Sequence, residues 1–369
     1  MSQRIPCTVI TGFLGAGKTT LIQSLLTTNG GRRIALIVNE FGDIGVDGDL
    51  IRSCGIAGCS DDDVIELANG CICCTVADDF LPTLTKLLER PDPPDHIVIE
   101  TSGLALPQPL LQAFAWPEVR TRVTIDGVVT VVDAEALAAG RFAHDEGAVA
   151  RQRAADENLD HDSALAELFE DQLSCADLVV LNKTDLIGET ELARAENLVR
   201  SQKRATAKII RSGKQKPPAD ILLGLAVAAE EDLANRRSHH HHHHDHDHDD
   251  GHNDHHHDHH HHDHHHHDDH DHDAFETFIV PVAPLAEADE ITRRVAALTT
   301  DSTVLRVKGT LVVTGKPMRL VVQAVGPRVE THYDRPWRAD ETKGGHVVVI
   351  CLAGADSAAM TRTLQGTAG

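Results

Sequence analysis

The chain has 369 residues, 41% apolar but only 3% aromatic, so aliphatic side chains must fill its core. Its net charge of −23 argues against nucleic acid as a partner, because a polyanion repels phosphates and no basic stripe occurs. Eight cysteines in so long a chain favour metal or redox chemistry over a disulfide framework. Without a membrane-length apolar run or a signal-peptide layout, the sequence predicts a cytoplasmic protein.

Residues 1–215 alternate apolar runs with helical patterns, which predicts a parallel sheet with crossover helices. Five nearly continuous apolar runs are predicted as strands, namely IPCTVIT, IALIVNE, DHIVIET, GVVTVVDA and ADLVVLNK. Such runs are typical of strands that are covered on both faces. Helices are expected at about 18–28, 78–89, 164–174 and 189–202.

A glycine-rich stretch, GFLGAGKTT, follows the first predicted strand and opens a helix. It fits G-x-x-x-x-G-K-[ST], the pattern of a loop whose backbone N–H groups surround phosphate. Lys18 is expected to reach the β- and γ-phosphates and to act in catalysis, and Thr19 to ligate Mg²⁺. The predicted nucleotide contacts here are Gly12, Gly15, Ala16, Gly17, Lys18, Thr19 and Thr20. The alternative, a turn without a ligand, is disfavoured by the strand–loop–helix context.

Three cysteines, Cys71, Cys73 and Cys74, stand within four positions in the stretch NGCICC. Thiolates bind soft or borderline divalent metals. Three close sulfurs do not complete a structural zinc site, which needs four ligands, and the open position suits a metal that is handed on. Buried apolar thiols or a redox pair are the alternatives. Two further cysteines, Cys54 and Cys59, form either an auxiliary metal site or an ordinary loop.

Carboxylates flank the cysteines on both sides along the chain. Glu40 lies in VNEFGDIGVDGD, which is expected to be a mobile switch loop, and it is a predicted Mg²⁺ ligand. In ETSGLALP, Glu100 and Gly103 resemble the D-x-x-G of GTPases with glutamate in place of aspartate. Glu100 is expected to hold Mg²⁺ or to position the attacking water, and the Gly103 amide to sense the γ-phosphate. For Glu100, a solvent-facing carboxylate is the alternative.

The last predicted strand of this region ends in NKTD, where Asn182, Lys183 and Asp185 form N-K-x-D. The Asp185 carboxylate can accept two hydrogen bonds from guanine N1–H and the exocyclic amine, a donor pair that adenine lacks. At a strand end downstream of a phosphate loop, the motif predicts that the nucleotide is GTP.

A histidine- and aspartate-rich tract divides the rest of the chain. Residues 216–273 are predicted as a linker, and within them 239–273 hold 22 His and 11 Asp with no apolar side chain to bury. The tract is either a metal reservoir, because imidazoles bind transition metals, or a solvated spacer. Residues 274–369 are predicted as a smaller α+β domain with antiparallel strands.

The motifs GFLGAGKTT, VNEFG, ELANGCICCTV, ETSGLALP and NKTD, in this order, resemble the CobW family of metal-handling P-loop GTPases. The resemblance covers nearly the whole chain, and the pairing of the phosphate loop with NGCICC is highly specific. It implies slow, metal-stimulated hydrolysis of GTP to GDP and phosphate, by a chaperone whose Mg-GTP form binds the metal and whose hydrolysis releases it.

The choice of metal rests on the same resemblance, which is closest to the members that serve aerobic cobalamin synthesis. This implies Co²⁺ as the cargo and the cobaltochelatase as the acceptor. Zinc-handling relatives share the C-x-C-C motif, so a Zn²⁺ chaperone is the first alternative. A metal-storage protein with regulatory nucleotide binding is the second.

Overall fold

The structure is a computed structural model with two sheets, each covered by helices. It describes residues 4–38, 64–66, 80–155, 165–225, 227–233, 236, 275–301, 303–326, 328–338 and 344–367. None of the helices in these ranges is long and apolar enough to cross a membrane.

The first sheet is entirely parallel, with strand order β3-β2-β4-β1-β5-β6-β7. Its strands are β1 Ile5–Thr11, β2 Ile34–Val38, β3 Val64–Glu66, β4 His96–Glu100, β5 Val123–Asp133, β6 Leu178–Asn182 and β7 Lys208–Arg211. Every residue of β2, β4 and β6 is buried, because helices cover both faces of the sheet. All the carboxyl ends therefore lie along one edge.

The helices that cover this sheet follow its strands in the chain. They are α1 Lys18–Thr27, α2 Leu81–Leu88, α3 Pro107–Ala113, α4 Pro117–Arg120, α5 Ala134–Ala138, α6 Glu146–Ala155, α7 Leu165–Cys175, α8 Glu189–Gln202 and α9 Ala219–Leu222. Proline stands in the first turn of α2, α3 and α4, where no N–H partner is lost. Apolar clusters form on both faces of the sheet, one around Leu25 and Ile22 and another around Phe80 and Phe114.

The second sheet is antiparallel, with strand order β11-β10-β9-β12-β8. Its strands are β8 Phe275–Val282, β9 Val304–Leu311, β10 Met318–Val325, β11 Arg328–Pro336 and β12 Gly345–Leu352. Two helices, α10 Ala288–Leu298 and α11 Ser357–Gln365, pack on one face over alternate residues such as Val307, Val322 and Val349. The opposite face of this sheet carries neither of these two helices.

Part of that other face packs against the first domain. Leu305 and Ile350 join the apolar cluster that contains Leu222 and Leu225. Arg306 donates hydrogen bonds from Nη1 to the carbonyl oxygens of Asp220 and Leu223. The two domains therefore share an apolar interface, and the buried Arg306 guanidinium adds hydrogen bonds across it.

The first part of the segment predicted as a linker is folded onto the first domain. It contains α9 and a 3₁₀ turn, Ala229–Glu231, which packs beside β5. Arg236 is 0% exposed, and it donates to the Asp177 carboxylate at 2.7 Å and to the Cys175 carbonyl. The segment predicted as a linker therefore begins with folded residues, because short apolar runs here bury against an existing core. The tract 239–273 lies outside the described residues.

The predicted fold class is confirmed, a parallel α/β GTPase-type domain followed by a smaller α+β domain. All five predicted strands of the first sheet are present, and so are the four predicted helices, with ends that differ by a few residues. The elements not predicted from sequence are β3, β7, β11, α3, α4, α5, α6, α9 and α11.

Candidate nucleotide site

The glycine-rich loop joins β1 to α1 at the carboxyl edge of the first sheet. Three of its glycines have positive φ: 138° at Gly12, 76° at Gly15 and 98° at Gly17. A Cβ at Gly12 would collide with the Val131 carbonyl oxygen, and one at Gly17 would collide with the Asn182 amide. Only glycine fits at these two positions, and the loop leads directly into the N-terminus of α1, where backbone N–H groups can receive an anion.

Lys18 is buried and folds back over this loop. Its Nζ donates to the carbonyl oxygens of Gly12 at 2.8 Å and Phe13 at 3.3 Å. The ammonium is therefore held at the mouth of the loop, 8% exposed, next to the N-terminus of α1. An anion placed there meets both the positive end of the helix dipole and a lysine charge.

Thr19 and Glu100 are brought together, as the sequence predicts for two ligands of one cation. The Thr19 hydroxyl donates to Glu100 Oε1 at 3.1 Å. Glu100 ends β4, is 4% exposed, and lies beside Ile10 of β1 in the parallel register. Thr20, in contrast, points to an exposed position in the first turn of α1.

The loop after Glu100 rests directly on the glycine-rich loop. A Cβ at Gly103 would lie 2.7 Å from the Leu14 backbone nitrogen, so only glycine allows this approach. Gln172 of α7 donates through Nε2 to the carbonyl oxygens of Gly103 at 3.2 Å and Ala105 at 3.3 Å. Gln172 fixes the loop in place, and no pattern in the sequence marks it.

The N-K-x-D motif lies at the end of β6, on the other side of the loop. Asn182 Nδ2 donates to the Ala16 carbonyl at 2.8 Å, which fixes the glycine-rich loop to this strand. Lys183 has a left-handed backbone, φ 62°, and its Nζ donates to Asp133 Oδ2 at 2.6 Å. Asp185 lies in a 3₁₀ turn, Thr184–Leu186, where its carboxylate is exposed.

Several residues that sequence reasoning missed complete this side of the site. Lys216 Nζ donates to Asn182 Oδ1 at 2.8 Å, and the Ser212 hydroxyl donates to the same oxygen at 3.2 Å. Gly213 leaves room beside the Asp185 carboxylate, since a Cβ there would lie 2.8 Å from Oδ1. Burial lowers the pKa of Lys216, and the Asp185 carboxylate opposes that shift.

The predicted metal ligands Glu40, Cys71, Cys73 and Cys74 lie outside the described residues, and so do Cys54 and Cys59. In the ranges that the structure describes, no three His, Cys, Asp or Glu side chains are grouped to hold a metal ion.

The thiols that are described belong to the core. Cys7, Cys175 and Cys351 are free and buried. Burial raises the pKa of all three, to about 11 for Cys175 and well above the ordinary value for Cys7. They are therefore protonated and unreactive at neutral pH.

Comparison with known proteins places this geometry in a family. Residues 6–211 match the model of the CobW/HypB/UreG nucleotide-binding domain, and residues 276–368 match that of the cobalamin synthesis protein cobW C-terminal domain. A Sinorhizobium protein named zinc chaperone CobW is 52% identical, covering 97% of this chain and 95% of its own. A Pseudomonas aeruginosa protein of the same name is 47% identical, covering 94% and 87%.

Among solved structures, the crystal structure of Zn(II)-bound YjiA GTPase from E. coli aligns over 100% of both chains, with 23% identity and a TM-score of 0.39. The full-length relatives and the two domain models agree in order and extent. The chain belongs to the CobW/HypB/UreG family of P-loop GTPases, and it carries that family's CobW C-terminal domain.

Proposed function

We propose that this metallochaperone GTPase carries Zn²⁺ on Cys71, Cys73 and Cys74 in its Mg-GTP state and releases the ion after hydrolysis. The observation that carries the proposal is the contact of Thr19 with Glu100 beside a closed glycine-rich loop. That contact supports a cation site at the carboxyl edge of the first sheet, the edge at which β3 ends before the cysteine segment begins.

The chain's own groups bind and orient the nucleotide. Backbone N–H groups of the glycine-rich loop receive the phosphates, and Lys18 exchanges the Gly12 and Phe13 carbonyls for the β- and γ-phosphates. The exposed Asp185 carboxylate, which lies beside Gly213, accepts hydrogen bonds from the guanine N1–H and the exocyclic amine. Asn182 acts as a brace between the phosphate loop and the base side, since both ends of its amide are engaged.

Mg²⁺ fits the donor set at Thr19 and Glu100, because a hydroxyl and a carboxylate oxygen 3.1 Å apart are ligands of the kind that it prefers. When bound, Mg²⁺ neutralises charge on the β- and γ-phosphates. Thr19 and Glu100 would hold the ion in place of the hydrogen bond between them, and Gly103 keeps its own amide close to the glycine-rich loop. Glu40 is proposed as a third ligand.

The cysteine motif is tethered to the same sheet edge. Glu66 of β3 pairs with Val38 of β2, which in turn pairs with Glu100 of β4. Because neighbouring strands lie about 4.8 Å apart, Glu66 is about 10 Å from Glu100. Cys71 follows five residues later, so it lies at most about 17 Å from Glu66. Cys71 can therefore be no farther than about 27 Å from Glu100, and the proposal requires the thiols to lie near the γ-phosphate within that limit.

Zinc is favoured as the cargo because the full-length relatives at 52% and 47% identity are named zinc chaperones. Thiolates also bind Zn²⁺ more tightly than Co²⁺ at most sites. Co²⁺ delivery to a cobaltochelatase is the second candidate, favoured by the match of residues 276–368 to a cobalamin synthesis domain model. The acceptor protein and the cytoplasmic location stay predictions.

The test is metal affinity in the two nucleotide states. Zn²⁺ and Co²⁺ are titrated against a chelating indicator in the full chain, loaded with Mg²⁺ and either GDP or a non-hydrolysable GTP analogue. We expect at least tenfold tighter binding in the GTP state. For Co²⁺ we expect an intense thiolate charge-transfer band that appears only with the analogue. Equal affinity in both states contradicts nucleotide-gated delivery.

Matched variants identify the ligands. Cys73→Ala and Cys74→Ala are expected to abolish the tight site and to spare nucleotide binding. Cys351→Ala is the control, because that thiol is buried in the second domain and is not a proposed ligand. Deletion of 239–273 is expected to remove weaker metal equivalents only. A tight site that disappears with the tract makes the imidazoles its main ligands instead.

A further inference from the structure

A cavity of about 400 Å³ lies where the second sheet meets the first domain. The first domain contributes Arg32 and Asp220 to its wall, and the second sheet contributes Arg306, Lys308 and Ile350. Its volume falls within the range of small-molecule sites in proteins. It lies apart from the glycine-rich loop, and no residue with a proposed role in GTP or metal binding lines it.

Strand register explains why the cations meet there. Arg306 pairs with Ile350, and Lys308 pairs with Val348, on neighbouring strands β9 and β12. Residues two apart on a strand share one face. The alternate residues, such as Val307, face α10 and α11. Arg306 and Lys308 therefore project together from the face without helices, beside two aliphatic side chains.

Arg306 is a buried charge whose partners in the described parts of the chain are backbone carbonyl oxygens. It is 7% exposed, and its hydrogen bonds go from Nη1 to the carbonyl oxygens of Asp220 and Leu223. In the described ranges, no carboxylate lies within 4.0 Å of its guanidinium. Burial lowers its pKa, while the more distant Asp126 and Asp220 carboxylates oppose the shift. A buried guanidinium without a counter-ion is costly, and a bound anion would remove that cost.

Lys308 adds a second cation to the wall of the cavity. No hydrogen bond or ion pair joins its ammonium to any residue in the described parts of the chain. Partial burial lowers its pKa, and repulsion from Arg306 and Arg32 adds to the shift. Arg32 is bound to Asp220 at 2.6 Å, so the one carboxylate that lines the cavity is already paired. Three cations against one anion leave a net positive site.

We propose that this interdomain cavity binds a small organic anion, either a phosphate monoester or a carboxylate. The charged group lies between Arg306 and Lys308, and the apolar part packs against Val348 and Ile350. Arg32 and Asp220, on the opposite wall of the cavity, bring the first domain next to the same ligand. The proposal is independent of the metal and of the GTP site, because it uses none of their residues.

Calorimetric titration of the full chain tests the site. The protein is loaded with Mg²⁺ and GDP, so that the phosphate loop is occupied, and held near pH 8, where imidazoles are neutral. The probes are phenyl phosphate and benzoate, and benzyl alcohol is the neutral control. We expect one saturable site for at least one anion and none for the alcohol. The tighter anion then identifies the charged group.

Variants decide whether the cavity is the site. Lys308→Gln is expected to weaken binding about tenfold, because one charged contact is lost. Lys308 is exposed, so this change leaves the fold intact, whereas Arg306→Gln can unfold the interface. Lys316→Gln, on the exposed β9–β10 turn, is the matched control and should bind as the unchanged chain does. GTP hydrolysis should be the same in the unchanged chain, in Lys308→Gln and in Lys316→Gln.

Three results would overturn the proposal. They are no saturable binding of either anion, equal binding of benzyl alcohol, or an unchanged affinity in Lys308→Gln.

Discussion

The two sheets use their polar residues in different ways. In the parallel sheet, both faces are buried, and the side chains of the candidate nucleotide site stand at the carboxyl edge, where Glu100, Asp133 and Asn182 end their strands. In the antiparallel sheet, helices cover one face only, and charged residues such as Arg306 and Lys308 stand in the middle of a strand. Ile279 on its edge strand is 66% exposed.

The difference shows how connection type decides where a site can form. Parallel strands need crossover helices on both faces, so only strand ends remain for chemistry. Antiparallel strands are joined by short turns, which leave a whole face available. The nucleotide site should therefore depend on loop geometry, and the second sheet should tolerate changes in its loops.

Removal of the lysine in the phosphate loop should have the largest effect. Lys18→Ala loses the ammonium held over the loop, and we expect hydrolysis to fall by about 10²–10³-fold. Phosphate release from GTP under single-turnover conditions measures it. Lys316→Ala in the second sheet is the control and should hydrolyse GTP normally. Similar rates in both variants would contradict the assignment of catalysis to the strand-end loops.

Guanine preference should be the next most sensitive property. Asp185→Asn replaces the carboxylate with an amide that repels one of the two guanine donors, and we expect about 10- to 100-fold weaker GTP binding. Competition between GTP and ATP against a fluorescent analogue measures the preference. The unchanged chain should prefer GTP strongly. If it binds ATP equally well, Asp185 does not read the base.

Two glycines allow a direct comparison of loops in the two domains. Gly17 and Gly315 both have positive φ, 98° and 76°. Alanine at Gly315 meets open space and should cost only the backbone term, about 1–2 kcal/mol. Alanine at Gly17 also displaces the Asn182 amide, which should add about 1–3 kcal/mol.

Urea unfolding of both variants gives this difference. Equal losses of unfolding free energy would mean that the Asn182 side chain moves away from the added methyl group without a loss of stability. Nucleotide affinity should fall for Gly17→Ala only, because Gly315 lies in the second domain.

The smallest effect should come from the opposite end of the parallel sheet, where His96 is buried. Its Nε2 lies 2.8 Å from the Thr8 hydroxyl and 3.9 Å from Asp126. Burial lowers its pKa, and Asp126 partly opposes this. The unfolded chain therefore binds more protons once pH falls below about 6.5, so the unfolding free energy should decrease from about pH 7.5 to about pH 5.5.

His96→Gln isolates this effect. All other histidines are the same in the two proteins, so their contributions cancel in the difference. The variant should lose less unfolding free energy over the same pH range, as measured by urea titration. An equal loss would show that the pKa of His96 does not differ between the folded and the unfolded chain.

Motifs of fixed spacing, the phosphate loop and N-K-x-D, predict roles for Lys18 and Asn182 that stay predictions. The sequence also predicted that Thr19 and Glu100 lie close together, and the structure contains that contact, but the contacts of Asp133 and Lys216 were not predicted. Asp133 carries no such pattern, because it simply ends an apolar run. Lys216 was missed because it lies in a segment with too little periodicity to distinguish a folded strap from a linker.

The missed elements have physical reasons of the same kind. β11, with the sequence RVETHYDRP, is an edge strand whose side chains are mostly exposed, so it lacks an apolar alternation. β3 has three residues, too few for any period. The identity of the metal could not be predicted for another reason, which is that thiolates bind both candidate ions. Co²⁺ therefore stays a prediction from resemblance, and the names of the relatives favour Zn²⁺.

Burial of Arg236 has a consequence for the histidine-rich tract. This arginine is held by the Cys175 carbonyl and Asp177, and Phe275 begins β8, so the chain is anchored in folded structure on both sides of the 38 residues between them. Chain length alone puts every histidine of the tract within about 65 Å of an anchor. If the tract is a metal reservoir, it therefore presents each ion to the folded domains at an effective concentration of about 1 mM, whatever the free metal concentration outside.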